Sequence, residues 1–220
     1  MIFCRQTDGR LLGGQRVVFF DIVHPGEPAP LDRALAYAQR AVELRPQSAR
    51  SQEALMVVWF ARGETALAFA AAEKAMTLNP YDTNVVADYG ARLMASGQIE
   101  RGVAMLEQAV AYTVVRPAWF DSYLFLGTYL AGDLAAAAEH ASMVQNDDLP
   151  LGFIARAVAA NMSGDRDKAR RAIEGLVALN SLWLVDPRRQ IGKFFPSADI
   201  QDRLLHDLEA AGLGATSSRG

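Results

Sequence analysis

The residues that could carry out chemistry are few and lie far apart along the chain. The three histidines, His24, His140 and His206, lack the spacing of metal ligands. His140 falls in a predicted helix, where a surface or partly packed histidine is more common than a ligand. Cys4 is the only cysteine, so neither an internal disulfide nor a cysteine-based metal site can form. The sequence therefore predicts no metal and no cofactor.

The sequence also lacks the common catalytic motifs. It contains no His-Glu-x-x-His zinc helix, no phosphate-binding loop and no nucleophile elbow. Gly13-Gly14 is an isolated glycine pair, and Asp147-Asp148 precedes Pro150 and is typical of a turn. We therefore predict that the chain is not an enzyme. The alternative is a site assembled from scattered residues, which a deep polar pocket with strongly shifted pKa values would support.

Charge and hydropathy restrict the partners. The chain is 51% apolar and 21% charged with a net charge of −3, which is typical of a folded protein and gives no electrostatic reason to expect nucleic acid. The most apolar run, Val17 to Val23, is far shorter than the ~20 residues of a membrane-spanning helix, and Met1 to Gly14 lacks an export signal. We expect no membrane partner and a cytoplasmic location. One predicted helix carries a basic patch, which is typical of a solvated face: Arg166, Lys168, Arg170 and Arg171.

The positions of these residues depend on an internal repeat. A glycine followed by an acid or amide recurs at spacings of 34, 35 and 32 residues, as Gly63-Glu64, Gly97-Gln98, Gly132-Asp133 and Gly164-Asp165. A small residue follows each glycine by five positions, with an extra copy at Ala34: Ala68, Gly102, Ala137 and Ala169. A further small or aliphatic residue comes seven positions later, at Ala41, Ala75, Ala109, Val144 and Leu176. Two copies close with proline, at Pro46 and Pro80.

Each marker has a physical role in a pair of helices. The glycine ends a first helix in a left-handed conformation, and the acid or amide accepts hydrogen bonds from the amides that begin the second helix. The small residues allow two helix backbones to approach, and proline stops the second helix. The pattern predicts a lone second helix over 33–45 and then pairs at 50–62 with 65–78, 83–96 with 99–112, 118–131 with 134–146, and 150–162 with 166–179. The helix starting at Ala118 fits two registers, one ended by Gly132 and the other by Leu126-Gly127.

The stretches Ala34 to Pro46 and Ala66 to Pro80 resemble the tetratricopeptide repeat (TPR), over about residues 31–180. The runs Tyr89 to Leu93, Pro117 to Phe120 and Tyr129 to Asp133 are similar to the C-terminal repeat region of bacterial class III adenylate cyclases and winged-helix transcriptional regulators. This resemblance implies an all-α, TPR-type α-solenoid of antiparallel helix pairs with a C-terminal capping helix. The resemblance to the cyclases and regulators also implies a regulatory or scaffolding arm of bacterial signalling, either standing alone or cut from a longer protein.

The two ends of the chain differ from the repeats. Residues 1–30 contain Pro25, Pro28 and Pro30 and are predicted to form an arm and linker. Residues 181–213 are predicted to cap the repeats, and 214–220 to form a flexible tail. In the capping segment Asp186-Pro187 begins one helix. Asp199 caps a last helix, which Gly212 ends; its expected inward face is Leu204, Leu205, Leu208 and Leu213.

First helices of TPR pairs line a groove, and this resemblance selects the candidate binding residues. They are Arg50, Glu53, Val57, Phe60, Asn84, Ala87, Ala91, Met94 and Trp119. The set is mostly small or apolar, which favours an amphipathic helix or an extended apolar peptide. Glu53, Val57 and Asp88 stand where a clamp for an acidic chaperone tail needs basic or amide groups, so we do not expect such a tail as the ligand. The aromatic stripe Trp119, Phe120, Tyr123 and Tyr129 is typical of a core.

These observations predict a non-catalytic scaffold that binds a protein or peptide partner. The alternative is an oligomerisation module that binds a second copy of the chain.

Overall fold

The computed structural model describes residues 30–115, 117–144 and 149–214. Several predictions concern residues outside these ranges, namely the N-terminal arm with Cys4 and His24, Asp147-Asp148, and the last six residues. Within them, every regular element is an α-helix. The twelve helices are α1 (Pro30–Leu44), α2 (Ala49–Ala61), α3 (Thr65–Leu78), α4 (Thr83–Ala95), α5 (Ile99–Ala111), α6 (Ala118–Ala131), α7 (Leu134–Ala141), α8 (Pro150–Met162), α9 (Arg166–Leu179), α10 (Leu182–Val185), α11 (Pro187–Gly192) and α12 (Ala198–Ala210).

The predicted helix bounds are confirmed for α3, α6, α8 and α9, and α6 follows the register that Gly132 ends. The prediction was wrong for α7, which ends at Ala141 rather than near residue 146. Its last amides bond three residues back, from Met143 N to the His140 carbonyl at 2.9 Å. The Ser142 hydroxyl also donates to the Glu139 carbonyl at 2.8 Å, a local bond that competes with helix continuation.

The four repeat glycines end first helices as predicted. Their φ angles are 80°, 95°, 82° and 76°, in the left-handed region. The cap expected from the following residue forms only where that residue is aspartate. Asp133 accepts from the Ala136 amide and Asp165 from the Lys168 amide, both at 3.0 Å. Glu64 and Gln98 make no such bond, and the Gln98 side-chain oxygen instead accepts from the Arg101 guanidinium at 3.2 Å.

The small residues of the repeat lie at close helix contacts. Ala34, Ala68, Ala137 and Ala169 are all at most 2% exposed. Gly102 on α5 lies so close to α4 that a Cβ there would stand 2.5 Å from the Gly90 carbonyl oxygen and 2.6 Å from the Met94 backbone nitrogen. The repeat therefore places its small residues at the positions where the backbones of neighbouring helices come close.

The chain divides into two compact units, and the division falls within α4 after Tyr89. In the first unit, α2 packs against α1 and α3. Its core contains two small clusters, Ala34, Ala38 and Val58, and Ala49, Ala75 and Val85. In the second unit, α6 packs against α5, α7 and α8, and α8 packs in turn against α9 and α12.

The C-terminal segment of the second unit contains α10, α11 and α12. Asp186 caps α11 as predicted, since its carboxylate accepts from the Arg189 amide at 3.0 Å. The N-cap predicted at Asp199 is wrong: α12 begins at Ala198, so Ser197 is the N-cap residue and Asp199 lies in the first turn. Of the predicted inward face, Leu204, Leu208 and Leu213 are buried, whereas Leu205 is partly exposed.

Arg203 joins α12 to the end of α6. Its guanidinium donates to the carbonyls of Tyr129 and Leu130, both at 2.9 Å, and lies 4.5 Å from the centre of the Tyr129 ring. The last carbonyls of a helix lack intrahelical donors and carry partial negative charge, so a cation there is stabilising. The contact fastens the C-terminal helix to the repeats.

We expect Arg203→Met to lower the free energy of unfolding by about 1–2 kcal/mol, because it keeps an apolar stem but removes both donated hydrogen bonds. Arg188→Met is the matched control, since Arg188 forms an exposed ion pair with Asp202 and its loss is expected to cost less than about 0.5 kcal/mol. Denaturant titration followed by circular dichroism measures both. Equal losses would contradict the fastening role of Arg203.

Candidate functional site

The nine candidate groove residues divide between the two units. Arg50, Glu53, Val57, Phe60, Asn84 and Ala87 belong to the first unit, and Ala91, Met94 and Trp119 to the second. Ala87, Ala91 and Met94 are 0% exposed, and Glu53 is 4% exposed. Arg50, Val57, Phe60, Asn84 and Trp119 reach the surface. In the first unit the accessible candidates therefore lie on α2 and at the start of α4.

An ion cluster lies at the N-terminal end of α2. Arg50 contacts Glu53 at 2.9 Å, between Nη1 and Oε2, and Asp82 at 3.2 Å, between Nε and Oδ2. Asp88 is also buried, at 8% exposed. The Arg50 guanidinium thus pairs with two carboxylates, and the charge of Asp88 acts on Glu53. We call Arg50, Glu53, Asp82 and Asp88 the first-unit ion cluster.

Burial and neighbouring charge shift the titration of Glu53. Burial raises the pKa of its carboxyl to about 7, and the charge of Asp88 adds to the rise. The charge and hydrogen bond of Arg50 act in the opposite direction, and Asp82 adds a smaller upward contribution. Glu53 therefore binds a proton more readily in the folded protein than an exposed glutamate does. The sequence includes Glu53 among the candidates but not Asp82, whose only local signal is its place before α4, where it accepts from the Asn84 amide at 3.2 Å.

The ion cluster is not arranged as a metal site. Among the described residues, no group of three or more histidine, cysteine, aspartate or glutamate side chains could hold a metal ion. The carboxylates of Glu53 and Asp82 pair with Arg50 instead. The contacts of the cluster are those of charge pairing between α2 and the start of α4.

The aromatic stripe of α6 is shared between core and surface. Phe120 is fully buried, as is typical of a core residue. Trp119 and Tyr123 are partly exposed and pack edge to face, with ring centres 5.9 Å apart. Tyr123 also contacts Phe195 of the capping segment at 6.5 Å. The stripe therefore joins α6 to the C-terminal segment while Trp119 keeps some surface.

Two more groups with shifted pKa values, Tyr129 and Asp207, lie where α6 meets α12. Burial raises the pKa of the Asp207 carboxyl, although its hydrogen bond with the Tyr129 hydroxyl and the charge of Arg203 act against the rise. Burial and the charge of Asp207 also raise the pKa of Tyr129. Both groups belong to the helix contact that Arg203 makes, so we assign them to the packing of α12.

No described helix is both long enough and apolar enough to cross a membrane. No family model matches the chain, and no curated protein matches it significantly.

Solved structures do match the fold. One is PilW, a type IV pilus biogenesis factor, at 16% identity and a TM-score of 0.56 over 86% of this chain and 90% of the other. Another is PilF of Pseudomonas aeruginosa, at 22% identity and a TM-score of 0.56 over 84% and 85% of the two chains. A third is YrrB, a TPR protein with an unusual peptide-binding site, at 14% identity and a TM-score of 0.50 over 79% and 90%. At these identities the likeness is one of fold, and this chain has the all-α fold of the TPR-type α-solenoids, built of antiparallel helix pairs with a C-terminal capping helix.

Proposed function

We propose that the chain is a non-catalytic protein-interaction module and that its first unit binds a peptide or an amphipathic helix along α2 and the start of α4. The observation that carries the proposal is the surface of α2, where the partly exposed apolar Val57 and Phe60 continue from the ion cluster at Arg50. Apolar anchors beside a few charged groups are typical of helix and peptide recognition. The fold shared with YrrB, a TPR protein with a peptide-binding site, supports it.

The charges of the ion cluster favour one class of ligand. Arg50 is already engaged by Glu53 and Asp82, and the cluster holds more carboxylates than cations. An acidic tail would add like charge to this surface, at a cost in affinity. We therefore expect a neutral or basic ligand with apolar side chains that contact Val57 and Phe60.

The rest of the proposal concerns the whole chain. We propose that residues 31–180 form the repeats and 181–213 the capping segment, and that the module is the regulatory arm of a cytoplasmic signalling protein. The resemblance of Tyr89 to Leu93 and Tyr129 to Asp133 to the repeat regions of bacterial cyclases and regulators supports this role. The proposed partner is a protein or peptide, neither nucleic acid nor membrane.

Selection from a random dodecapeptide library displayed on phage tests the proposed surface. We expect enriched peptides that carry apolar residues without excess acid. Phe60→Ser is expected to weaken the binding of a synthetic selected peptide about tenfold in isothermal titration, because it removes a central apolar anchor.

Tyr81→Ser is the matched control for this selection. It also removes an aromatic side chain, but Tyr81 is 89% exposed in the turn before α4 and is expected to change the affinity by less than about twofold. The proposed surface would be refuted if no peptide is enriched, or if the selected peptides bind both variants with the affinity of the original chain. Light scattering of the same sample tests the alternative, binding of a second copy of the chain, which predicts a dimer without added peptide.

A further inference from the structure

We propose that the C-terminal helix α12 is a built-in ligand: it occupies a helix-binding surface of the second unit, from which an amphipathic helix of a partner protein displaces it. The surface is formed by the first helices α6 and α8 and by the turn after α4, and we call it the first-helix face. The proposal concerns the second unit alone, so it stands or falls separately from the binding surface proposed for the first unit.

Several contacts place the C-terminal segment on the first-helix face. The Ser197 hydroxyl oxygen lies beside the turn after α4, 3.7 Å from where a Cβ at Gly97 would stand. Phe195 contacts Tyr123 of α6, with ring centres 6.5 Å apart. Arg203 donates to the last carbonyls of α6 at 2.9 Å, and α12 itself packs against α8. The segment therefore reaches three successive helix pairs on the side of their first helices.

A helix that only shielded the end of the repeats would cover the apolar residues there. Those residues remain exposed: Leu179 at the end of α9 is 41% accessible, and Leu182 and Val185 of α10 are 42% and 76% accessible. The C-terminal segment instead contacts Tyr123, one turn from the candidate binding residue Trp119 on α6. Surfaces built from successive repeats are the ones that solenoids use to bind partners. The position of α12 is therefore that of a bound ligand.

The buried side of α12 has the pattern of a groove-binding helix. Ile200, Leu204 and Leu208 recur four residues apart and are at most 4% exposed. The other side of the helix carries exposed polar residues, namely Asp199, Asp202, His206 and Glu209. Amphipathic helices bind grooves through apolar anchors at such spacing. We therefore expect the partner to supply a helix with three aliphatic anchors in this spacing and an arginine before the central one, as Arg203 precedes Leu204.

One residue makes the docking of α12 imperfect. Asp207 lies on the buried side, 8% exposed, and the Tyr129 hydroxyl donates to its carboxylate. No described residue donates a hydrogen bond to its Oδ2 atom. Burial raises the pKa of this carboxyl, because the charged form loses solvation there. A partner helix without an acid at this position avoids that cost, so it can displace α12.

Fluorescence anisotropy with a labelled peptide of residues 197–213 tests the proposal on the full chain. In the original chain α12 competes with the peptide, so the apparent dissociation constant is the intrinsic one divided by the fraction of open chain. Arg203→Met in the chain removes both hydrogen bonds to α6 and opens the face more often, and we expect it to tighten peptide binding about tenfold. The same substitution in the peptide is expected to weaken its binding about tenfold.

The opposite signs in chain and peptide distinguish an occupied binding site from a purely structural contact, which predicts no peptide binding in either case. Arg188→Met in the chain is the control, because it removes an exposed ion pair with Asp202, and we expect a change of less than about twofold. Phe60→Ser lies in the first unit and is also expected to leave the affinity for this peptide unchanged. That variant separates a failure here from a failure of the first-unit surface.

A disulfide that fixes the C-terminal segment gives a second test. A Cβ at Gly97 would lie 3.9 Å from the Ser197 Cβ, within the range of about 3.5–4.5 Å that a disulfide requires. We expect Gly97→Cys/Ser197→Cys, made together with Cys4→Ser, to bind the peptide at least about tenfold more weakly when oxidised than when reduced. The reduced form of the same protein is the reference, because the φ of +95° at Gly97 strains any side chain there.

Three outcomes would overturn the inference. The first is equal affinity of the peptide for the original and the Arg203→Met chains, or binding to neither. The second is peptide binding that oxidation of the double-cysteine chain leaves unchanged. The third is a dimer of the Arg203→Met chain in light scattering without peptide, because α12 would then exchange between two copies of the chain instead of giving way to a partner.

Discussion

Replacing Gly102 by alanine is expected to lower the free energy of unfolding by about 3 kcal/mol. The added Cβ would lie 2.5 Å from the Gly90 carbonyl oxygen, 2.6 Å from the Met94 Cβ and 2.6 Å from the Met94 backbone nitrogen. These atoms belong to a helix backbone or lie next to it, so α4 and α5 must move apart, and overpacking of this kind costs about 1–3 kcal/mol or more. The better helix propensity of alanine offsets about 1 kcal/mol of a larger steric cost. Thermal unfolding should show a melting temperature lower by roughly 10 °C.

Gly132→Ala is the matched control for this prediction. Gly132 also belongs to the second unit, but its φ is +82° and a Cβ there meets nothing within 4 Å. The substitution is therefore expected to cost only the strain of a left-handed alanine, about 1 kcal/mol. The close approach of α4 and α5 would be contradicted if Gly102→Ala is as stable as the original chain, or if it loses less free energy of unfolding than Gly132→Ala.

Replacing Glu53 by glutamine is expected to stabilise the protein above neutral pH. The pKa of Glu53 rises from 4.5 to about 7 in the folded state. Between these values the folded state binds more protons than the unfolded state, so the free energy of unfolding falls as pH rises from 4.5 through 7 and then levels off. The loss is on the order of 2–3 kcal/mol. Glutamine resembles the protonated carboxyl and avoids this loss, so the stabilisation should reach its full size at pH 8 and disappear below pH 4.5.

Denaturant titrations at a series of pH values measure this effect, with the difference between variant and original chain as the result. The difference matters because Asp207, whose pKa is also raised by burial, contributes the same sign of pH dependence to both proteins. Glu43→Gln is the matched control, because Glu43 is an exposed carboxylate of the same unit, 63% accessible and paired with Arg40, and its replacement removes the same charge outside the ion cluster. A Glu53→Gln difference that is independent of pH would contradict a raised pKa at Glu53.

Some structural details depended on contacts that the repeat pattern does not contain. The sequence places Ala87, Ala91 and Met94 on first helices, but their complete burial follows from neighbouring helices. The pKa of Glu53 depends on Asp82 and Asp88, which are about thirty residues away in sequence and come close only when α2 and α4 pack. Arg203 likewise reaches carbonyls more than seventy residues earlier in the chain. Such effects cannot be read from local spacing.

The sequence by itself determined the helix pairs, because their signals are local: a glycine that adopts a left-handed φ, a capping aspartate one residue later, and small residues in phase with a helical turn. Those signals predicted α3, α6, α8 and α9 to the residue. Only the tertiary structure decided where α7 ends, which polar groups are buried, and where the basic patch turns inward. In the second unit, Lys168 and Arg171 of α9 line one cavity of about 640 Å³ together with Arg156 of α8, whereas Arg170 does not line it. The packing of α8 against α9 decides which face of each helix lines this cavity, and the order of residues alone does not.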